Sequence, residues 1–129
     1  MSQDPVCVTN PNLEISTIRP NKLRQLLNDG KPTIGTHVHT TWPNVVETLA
    51  HTGMYDYVEF VAEYGAYDLY AFDDFCRAAE LHDLGTMIKV EQEPRAWIAG
   101  RAIGSGFQSV LFSDGRGVAD ARQCVAIAR

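Results

Sequence analysis

The sequence has 129 residues, 45% of them hydrophobic, and a formal net charge of −5 at pH 7, which together predict one globular domain with an ordinary core. The acidic balance excludes an electrostatic surface for nucleic acid or anionic membranes, because the phosphates of either partner would be repelled. A small-molecule ligand therefore fits the composition better than a nucleic acid or a membrane.

The cysteines and the amino terminus indicate a reducing compartment. Cys7, Cys76 and Cys124 are an odd number at wide spacing, so they form neither a C-x-x-C zinc pair nor a disulfide framework. The first 18 residues are polar and lack the features of a signal peptide, and no stretch of about 18 apolar residues follows. We predict a cytoplasmic protein with an extended arm over residues 1–18 and a domain over residues 19–129.

The first predicted element is a helix in RPNKLRQLLNDGK, residues 19–31. Pro20 suits the first turn of this helix and Gly30 supplies its stop. The apolar stripe between them consists of Leu23, Leu26 and Leu27.

A strand-like segment followed by a helical segment then recurs four times. The predicted strands are TIGTHVH (33–39), YVEFV (57–61), TMIKV (86–90) and SVLF (109–112). The helical segments that follow them are WPNVVETLAHTG, AFDDFCRAAELHDLG, RAWIAGRAIG and VADARQCVAIAR. Parallel neighbours need a long crossover, normally a helix, so this alternation predicts parallel βα units.

The spacing of these units is close to that of an eight-unit barrel of about 250 residues, so four units make half of one. A doubly wound sheet is the alternative, but its first turn is usually rich in glycine, whereas here that turn reads HTTWPN. We predict an α/β fold of four parallel βα units, the amino-terminal half of a TIM barrel with a leading helix. Because the last helical segment runs to Arg129 without a cap, we expect a truncation at the carboxyl end.

Several predicted strands of this sequence carry titratable side chains on one face. In an ordinary barrel the inward faces of the strands carry Val, Ile and Leu instead. His37 and His39 share one face of the first strand, and Lys89 alternates with apolar residues on the third. Glu59 and Glu63 share one face at and beyond the second strand. If these faces are interior, the groups converge near the carboxyl ends of the strands, where such barrels carry their active sites.

Each of these groups also has a structural interpretation. Lys89 either forms an ion pair with Glu59 or holds the carboxylate or enolate oxygen of a substrate, because a buried charge needs a partner. The two histidines of the first strand are either polar residues of the core and mouth or functional groups. His51 and His82 fall on helical segments and are predicted to be surface or inter-helix residues. The cysteines on apolar helix faces, Cys76 and Cys124, are predicted to be unreactive core residues.

The H-x-H pattern on the first strand also suggests a metal site. Metal-dependent hydrolases of the amidohydrolase kind carry two histidines at this spacing on the first barrel strand. Alternate strand residues place two imidazoles side by side for one ion, so His37 and His39 could bind a metal in this way. The further ligands of such a site would come from later strands.

The chain from residue 21 to 129 resembles the amino-terminal half of the HpcH/HpaI aldolase and citrate lyase family. The segments that carry the resemblance are NKLRQLLNDGKPTIGT, VVETLAHTGMYDYVEFVAEYGAYD, MIKVEQEP and RAIGSGFQSVLFSDGRGVADARQCV. The resemblance implies a (βα) barrel that cleaves or forms a carbon–carbon bond next to a 2-oxo acid such as pyruvate. It also implies a divalent metal, Mg²⁺ or Mn²⁺, as Lewis acid, with its carboxylate ligands beyond the fourth strand and outside this chain.

The resemblance assigns roles by position. Lys89 corresponds to the family's strand-3 arginine, which steadies the oxo and enolate oxygens, but it lacks the bidentate fork. Glu63 matches the family's glutamate after strand 2, whereas Tyr64 stands in place of the catalytic histidine. A phenol, with an unperturbed pKa of about 10, is a poorer base. The candidate catalytic residues are Lys89, Tyr64 and His39, and the candidate substrate-binding residues are His37, Glu63, Gln92 and Asp114, with no metal ligand among them.

The expected partner is a small 2-oxo acid, with neither nucleic acid nor membrane. Half a barrel leaves two open sheet edges that invite association, so we predict a homo-oligomer. We expect the 129-residue chain to be incomplete and inactive by itself, and a self-associating fragment without activity is the non-enzymatic alternative.

Overall fold

The strands form one parallel sheet, and helices connect them along the chain. The structure is a computed structural model that describes residues 19–129, and the arm predicted over residues 1–18 lies outside the described residues. The strands, in their spatial order, are β1 (Gly35–Val38), β2 (Tyr57–Val61), β3 (Gly85–Val90) and β4 (Ser109–Phe112). The helices are α1 (Lys22–Asn28), α2 (Pro43–His51), α3 (Leu69–Leu81), α4 (Arg95–Ser105) and α5 (Val118–Ile127). The predicted α/β fold of four parallel βα units with a leading helix is confirmed.

The helix starts follow local capping rules, with one difference from the sequence prediction. Pro43 is the first residue of α2, where a missing N–H costs nothing. Pro20, predicted in the first turn of α1, lies before the helix instead. The cause is Asn21, whose side-chain oxygen accepts a hydrogen bond from the Arg24 N–H at 2.9 Å and so caps the helix.

Side chains of the sheet alternate between a face covered by helices and an open face. The residues in register across the covered face are Val38, Phe60, Ile88 and Val110. On the open face, His37 is in register with Glu59, and Val61 is in register with Lys89. In a complete barrel the open face would be the interior, so the titratable residues lie on the side that carries chemistry in this architecture.

The core between the covered face and the helices is largely aromatic. Phe60 on β2, Phe72 and Phe75 on α3, and Phe107 before β4 have neighbouring ring centres 5.4–6.1 Å apart. Cys76 belongs to the same apolar cluster, and burial raises the pKa of its thiol to about 12. The prediction that this cysteine is a core residue is therefore confirmed.

The start of the described chain is tied to the end of the sheet opposite the titratable residues. Arg19 donates a hydrogen bond to the Leu84 carbonyl at 2.8 Å, just before β3. Asn21 donates to the Gln108 carbonyl at 2.6 Å, just before β4. Helix α1 therefore lies at the amino-terminal ends of the strands and leaves their carboxyl ends open.

Helix α5 packs less than its sequence pattern predicts. Its apolar face buries no side chain, and Val118 is 71% exposed. Cys124, predicted to be a core residue on this helix, is only partly buried. No helix within residues 19–129 is long and apolar enough to cross a membrane.

Candidate functional site

A shallow depression lies on the open face at the carboxyl ends of β1, β2 and β3. Its volume is about 330 Å³, and its lining residues are His37, His39, Glu59, Val61, Tyr64 and Lys89. The strands position these side chains by their two-residue alternation, which directs every second residue to the open face. The turn after β2 adds Tyr64, whose N–H donates to the Val61 carbonyl at 3.2 Å.

The turn after β2 requires glycine at position 65, because neighbouring atoms leave no space for a side chain there. A Cβ at Gly65 would lie 2.7 Å from the Phe60 ring and 2.9 Å from the His39 carbonyl oxygen. The Gly65 N–H donates to the Val61 carbonyl at 2.9 Å, which closes the turn. The turn therefore presses against the residue that follows β1 and holds Tyr64 over the depression.

Lys89 and Glu63 form the ion pair of this site. The Nζ atom of Lys89 lies 2.7 Å from Oε2 of Glu63, and the side chains are only 26% and 16% exposed. The contact is electrostatic, since that oxygen makes no hydrogen bond of regular angle among the described residues. The structural interpretation of Lys89 predicted an ion pair with Glu59. That partner is wrong, because the turn after β2 brings Glu63 closer.

This pairing fixes the charge of both groups. Its contact with the Glu63 carboxylate raises the pKa of Lys89 above its ordinary value, despite the opposing effect of burial. The Lys89 ammonium lowers the pKa of Glu63 in turn. At neutral pH this pair therefore consists of one ammonium and one carboxylate, and the ammonium has three donors of which Glu63 takes one at most.

Aromatic rings extend this pair into a continuous row. The Lys89 Nζ atom lies 5.3 Å from the centre of the Tyr64 ring, in cation–π range. The Tyr64 ring meets His39 edge-on with centres 6.1 Å apart, and His39 stacks on His37 with centres 5.7 Å apart. We call the five residues of this contact series the polar row; they are His37, His39, Tyr64, Lys89 and Glu63.

The structure brings together five of the seven predicted site residues, and it places the other two elsewhere. Gln92 lies in the segment between β3 and α4, and Asp114 lies in the loop after β4. Asp114 is exposed, with φ of 57°, and its carboxylate is 3.4 Å from the Ser113 hydroxyl. Neither residue lines the depression.

Sequence reasoning missed two residues that shape the site. Val61 lines the depression, and its alternation with Glu59 and Glu63 was the available signal. Gly65 follows Tyr64 directly, and a glycine after a strand indicates a turn, but only the fold reveals what its missing side chain would meet.

The loop after β4 is held by a buried arginine. Arg95, 4% exposed at the start of α4, donates to Oδ1 of Asp120 at 3.1 Å and also contacts the Gln123 side chain. The other oxygen of Asp120 accepts the Arg116 N–H at 2.8 Å. The hydrogen bond from the Arg116 backbone is the largest cause that lowers the pKa of Asp120, and the hydrogen bond from the Arg95 guanidinium lowers it further. The loop that carries Asp114 is thereby fixed to α4.

We expect Asp120→Asn to destabilise the fold at about pH 6 and much less at about pH 2.5. Because the folded pKa of Asp120 is lowered, its ionised form stabilises the fold above the unfolded value of about 3.9. That contribution is lost as the pH falls through the folded pKa. Urea unfolding of wild type and variant at both pH values measures this difference. The matched control is Asp114→Asn in the loop that precedes α5, which should change little at either pH, and an equal loss in both variants would contradict the assignment.

The described residues do not fit a hard divalent ion. Mg²⁺ and Mn²⁺ prefer several oxygen ligands, whereas the site offers imidazoles, an ammonium, the Glu59 carboxylate and the Glu63 carboxylate that this ammonium contacts. Within residues 19–129, no group of three or more His, Cys, Asp or Glu side chains has the arrangement of a metal site. No catalytic step is therefore assigned to a metal on these residues.

Several solved structures are similar to the described chain. An HpcH/HpaI aldolase from Desulfitobacterium hafniense DCB-2 has a TM-score of 0.77 at 19% identity, over 85% of this chain and 42% of its own. An HpcH/HpaI aldolase/citrate lyase family protein from Burkholderia cenocepacia J2315 has a TM-score of 0.75 at 26% identity, over 85% and 43%. The citrate synthase SbnG has a TM-score of 0.73 at 20% identity, over 84% and 42%. No protein-family model and no curated protein matches the sequence.

These structures confirm the resemblance to the amino-terminal half of HpcH/HpaI aldolases at the level of the fold. The chain spans less than half the length of each of the three structures. The four βα units of this chain therefore correspond to part of a TIM-barrel aldolase.

Proposed function

We propose that the chain forms the substrate side of an HpcH/HpaI-type carbon–carbon lyase, an aldolase domain that acts on 2-oxo acids such as pyruvate-derived hydroxy-oxo acids. The observation that carries the proposal is the polar row at the carboxyl ends of parallel strands, with the Lys89 ammonium 2.7 Å from Glu63. The likeness to HpcH/HpaI aldolases supports it.

In this proposal Lys89 binds the anionic oxygens of the substrate. The ammonium is kept charged by Glu63 and retains donors for a carboxylate or for the oxygen of an enolate. A donor already in place where negative charge develops lowers the barrier to enolate formation. Glu63 positions the ammonium, and His37 lines the same depression.

His39 is our candidate for proton transfer. Tyr64 stands where the family has its histidine, and imidazole is the side chain best suited to accept a proton near neutral pH. The His39 ring lies against Tyr64, with centres 6.1 Å apart, so it reaches the same depression from β1. Tyr64 then orders the ammonium through its ring face and can donate through its hydroxyl.

We also propose that the complete domain depends on Mg²⁺ or Mn²⁺, with ligands outside the described residues. The ion would supply Lewis-acid stabilisation of the developing oxyanion. Gln92 and Asp114 would contact substrate only if their loops close over the depression. We also propose a cytoplasmic location, which is supported by the free thiols of Cys76 and Cys124. The homo-oligomer is part of the same proposal and is supported by β1 and β4, which are the outer strands of the described sheet.

Calorimetry with oxalate, a planar mimic of the pyruvate enolate, tests the proposed function. We expect the chain to bind oxalate and pyruvate with a Kd on the order of 1 mM without added metal, since an ion pair and polar contacts supply the binding. Acetate, which lacks the adjacent oxygen, is the matched control and should bind more weakly. We expect no turnover of hydroxy-oxo acids by the 129-residue chain. Binding that requires Mg²⁺ or Mn²⁺, or no binding at all, would contradict this assignment.

A metal site of the amidohydrolase kind at His37 and His39 is the second candidate. It is favoured by the two imidazoles that lie side by side on the open face, with ring centres 5.7 Å apart. Such a site predicts stoichiometric zinc that is lost when both histidines are replaced. A self-associating fragment without activity is the third candidate, favoured by Leu111, which is 42% exposed on the open face.

A further inference from the structure

A second pair of histidines meets far from the polar row, between helices α2 and α3. His51 is the last residue of α2, and His82 directly follows α3. Their ring centres are 4.6 Å apart with an interplanar angle of 61°, and both side chains are exposed. With His37 and His39, they make up the four histidines of the sequence.

The backbone around both histidines is held in place. After His82, the Leu84 N–H donates to the Ala79 carbonyl at 2.9 Å, and Leu84 itself is buried. After His51, the Gly53 N–H donates to the Ala50 carbonyl at 3.0 Å with φ of 63° at the glycine. Two defined helix ends therefore present the imidazoles to each other, and little order has to be gained for both to bind one ligand.

The electrostatic setting favours a cation between these rings. Both histidines lie at carboxyl ends of helices, where the helix dipoles leave partial negative charge and unpaired carbonyl groups. Two such ends converge here. An ion with positive charge is therefore stabilised by both helices, in addition to any bond from the imidazoles.

We propose that His51 and His82 bind one divalent transition-metal ion of the class that prefers imidazole, namely Zn²⁺, Ni²⁺ or Cu²⁺. With metal–nitrogen bonds of about 2.0–2.1 Å and an angle of about 90–109° at the ion, two bound imidazoles have ring centres about 4.5–5.2 Å apart. The observed 4.6 Å between His51 and His82 lies within this interval. Since no third His, Cys, Asp or Glu joins such a group within residues 19–129, water completes the coordination.

Titration of the full chain with NiCl₂ and ZnCl₂ tests this inference, by calorimetry and by thermal unfolding. We expect one ion per chain at the His51–His82 site and a rise in Tm of about 2–5 °C at saturation, because the chelate of two imidazoles binds the ion more tightly than the unfolded chain does. MgCl₂, which prefers oxygen ligands, should give no shift. His51→Ala and His82→Ala should each weaken binding by at least about tenfold, because either change destroys the chelate.

A double-variant cycle separates a chelate from two independent surface histidines. For a chelate, the second substitution should cost much less affinity than the first, because the first already leaves only one imidazole to bind the ion. The matched control His37→Ala/His39→Ala, which removes the other pair, should keep the affinity and the Tm shift. Additive losses in the cycle, or loss of the Tm shift in the control but not in the His51 and His82 variants, would overturn the proposal.

Discussion

Replacing Lys89 with methionine should weaken oxalate binding by about ten- to a hundredfold, the range expected when a charge-assisted hydrogen bond is removed. Methionine keeps much of the length and the apolar stem of the side chain but lacks the ammonium. The loss has a second cause, since Glu63 would remain beside the depression without its cation and would repel an anionic ligand. Calorimetry of wild type and variant under the same conditions measures the ratio.

Two control variants distinguish ligand binding by Lys89 from structural damage. Lys89→Arg keeps the charge and restores a bidentate fork, so oxalate affinity should be retained. Glu63→Gln keeps a polar side chain of the same size beside the ammonium and removes a carboxylate that competes for it, so oxalate affinity should fall much less than in Lys89→Met. Equal losses in Glu63→Gln and Lys89→Met would show that the ion pair serves the fold, and unchanged affinity in Lys89→Met would contradict the proposed role of Lys89.

Local patterns account for most of what the sequence predicts of the fold. Strand and helix periods, together with stop signals such as Gly30, are properties of neighbouring residues, and they give the four βα units correctly. Parallel pairing follows from the alternation, because a helix between two strands returns the chain to the same end of the sheet. The start of α1 differs because Pro20 and Asn21 both suit a helix start, and the hydrogen bond from Arg24 decides between them.

The same alternation brings the polar row within reach of sequence reasoning. His37 and Lys89 lie on strand faces, where the two-residue period holds, whereas Glu63 meets Lys89 through the turn after β2. Gln92 and Asp114 lie in loops, where no period applies, and the positive φ of Asp114 is set by its own turn. Position after a strand therefore indicates the correct edge of the sheet but not the direction of a loop side chain.

Contacts between distant segments lie beyond such patterns. The choice of Glu63 over Glu59 as partner of Lys89 depends on the turn at Gly65, and that turn depends on space beside the Phe60 ring. The meeting of His51 with His82 depends on how α2 packs against α3. In both cases tertiary packing determines which of several chemically suitable groups come together.

Replacing Phe72 with alanine should lower the free energy of unfolding by about 3–5 kcal/mol, the range for removing a large side chain from a core. Phe72 is fully buried. The centre of its ring lies 4.7 Å from the ring centre of Tyr67, 5.4 Å from that of Phe107 and 6.1 Å from that of Phe60. Domains of this kind have about 5–15 kcal/mol of stability in total, so the variant should be near its folding limit. Urea unfolding followed by circular dichroism measures the change. The control on the same helix is Tyr70→Ala, 82% exposed, which should change stability by no more than about 0.5 kcal/mol.

The Phe72 variant also tests whether the core supports the site. The Phe60 ring packs against Phe72 on one side and fills the space beside Gly65 on the other, so a cavity at Phe72 lets Phe60 move away from the turn that holds Tyr64. We therefore expect the folded fraction of Phe72→Ala to bind oxalate more weakly than wild type, although no residue of the polar row has changed. Phe72→Leu, which fills most of the volume, should lose less stability and retain oxalate binding. A destabilisation of Phe72→Ala below about 1.5 kcal/mol would show that the aromatic cluster collapses around the cavity and does not determine the position of the turn.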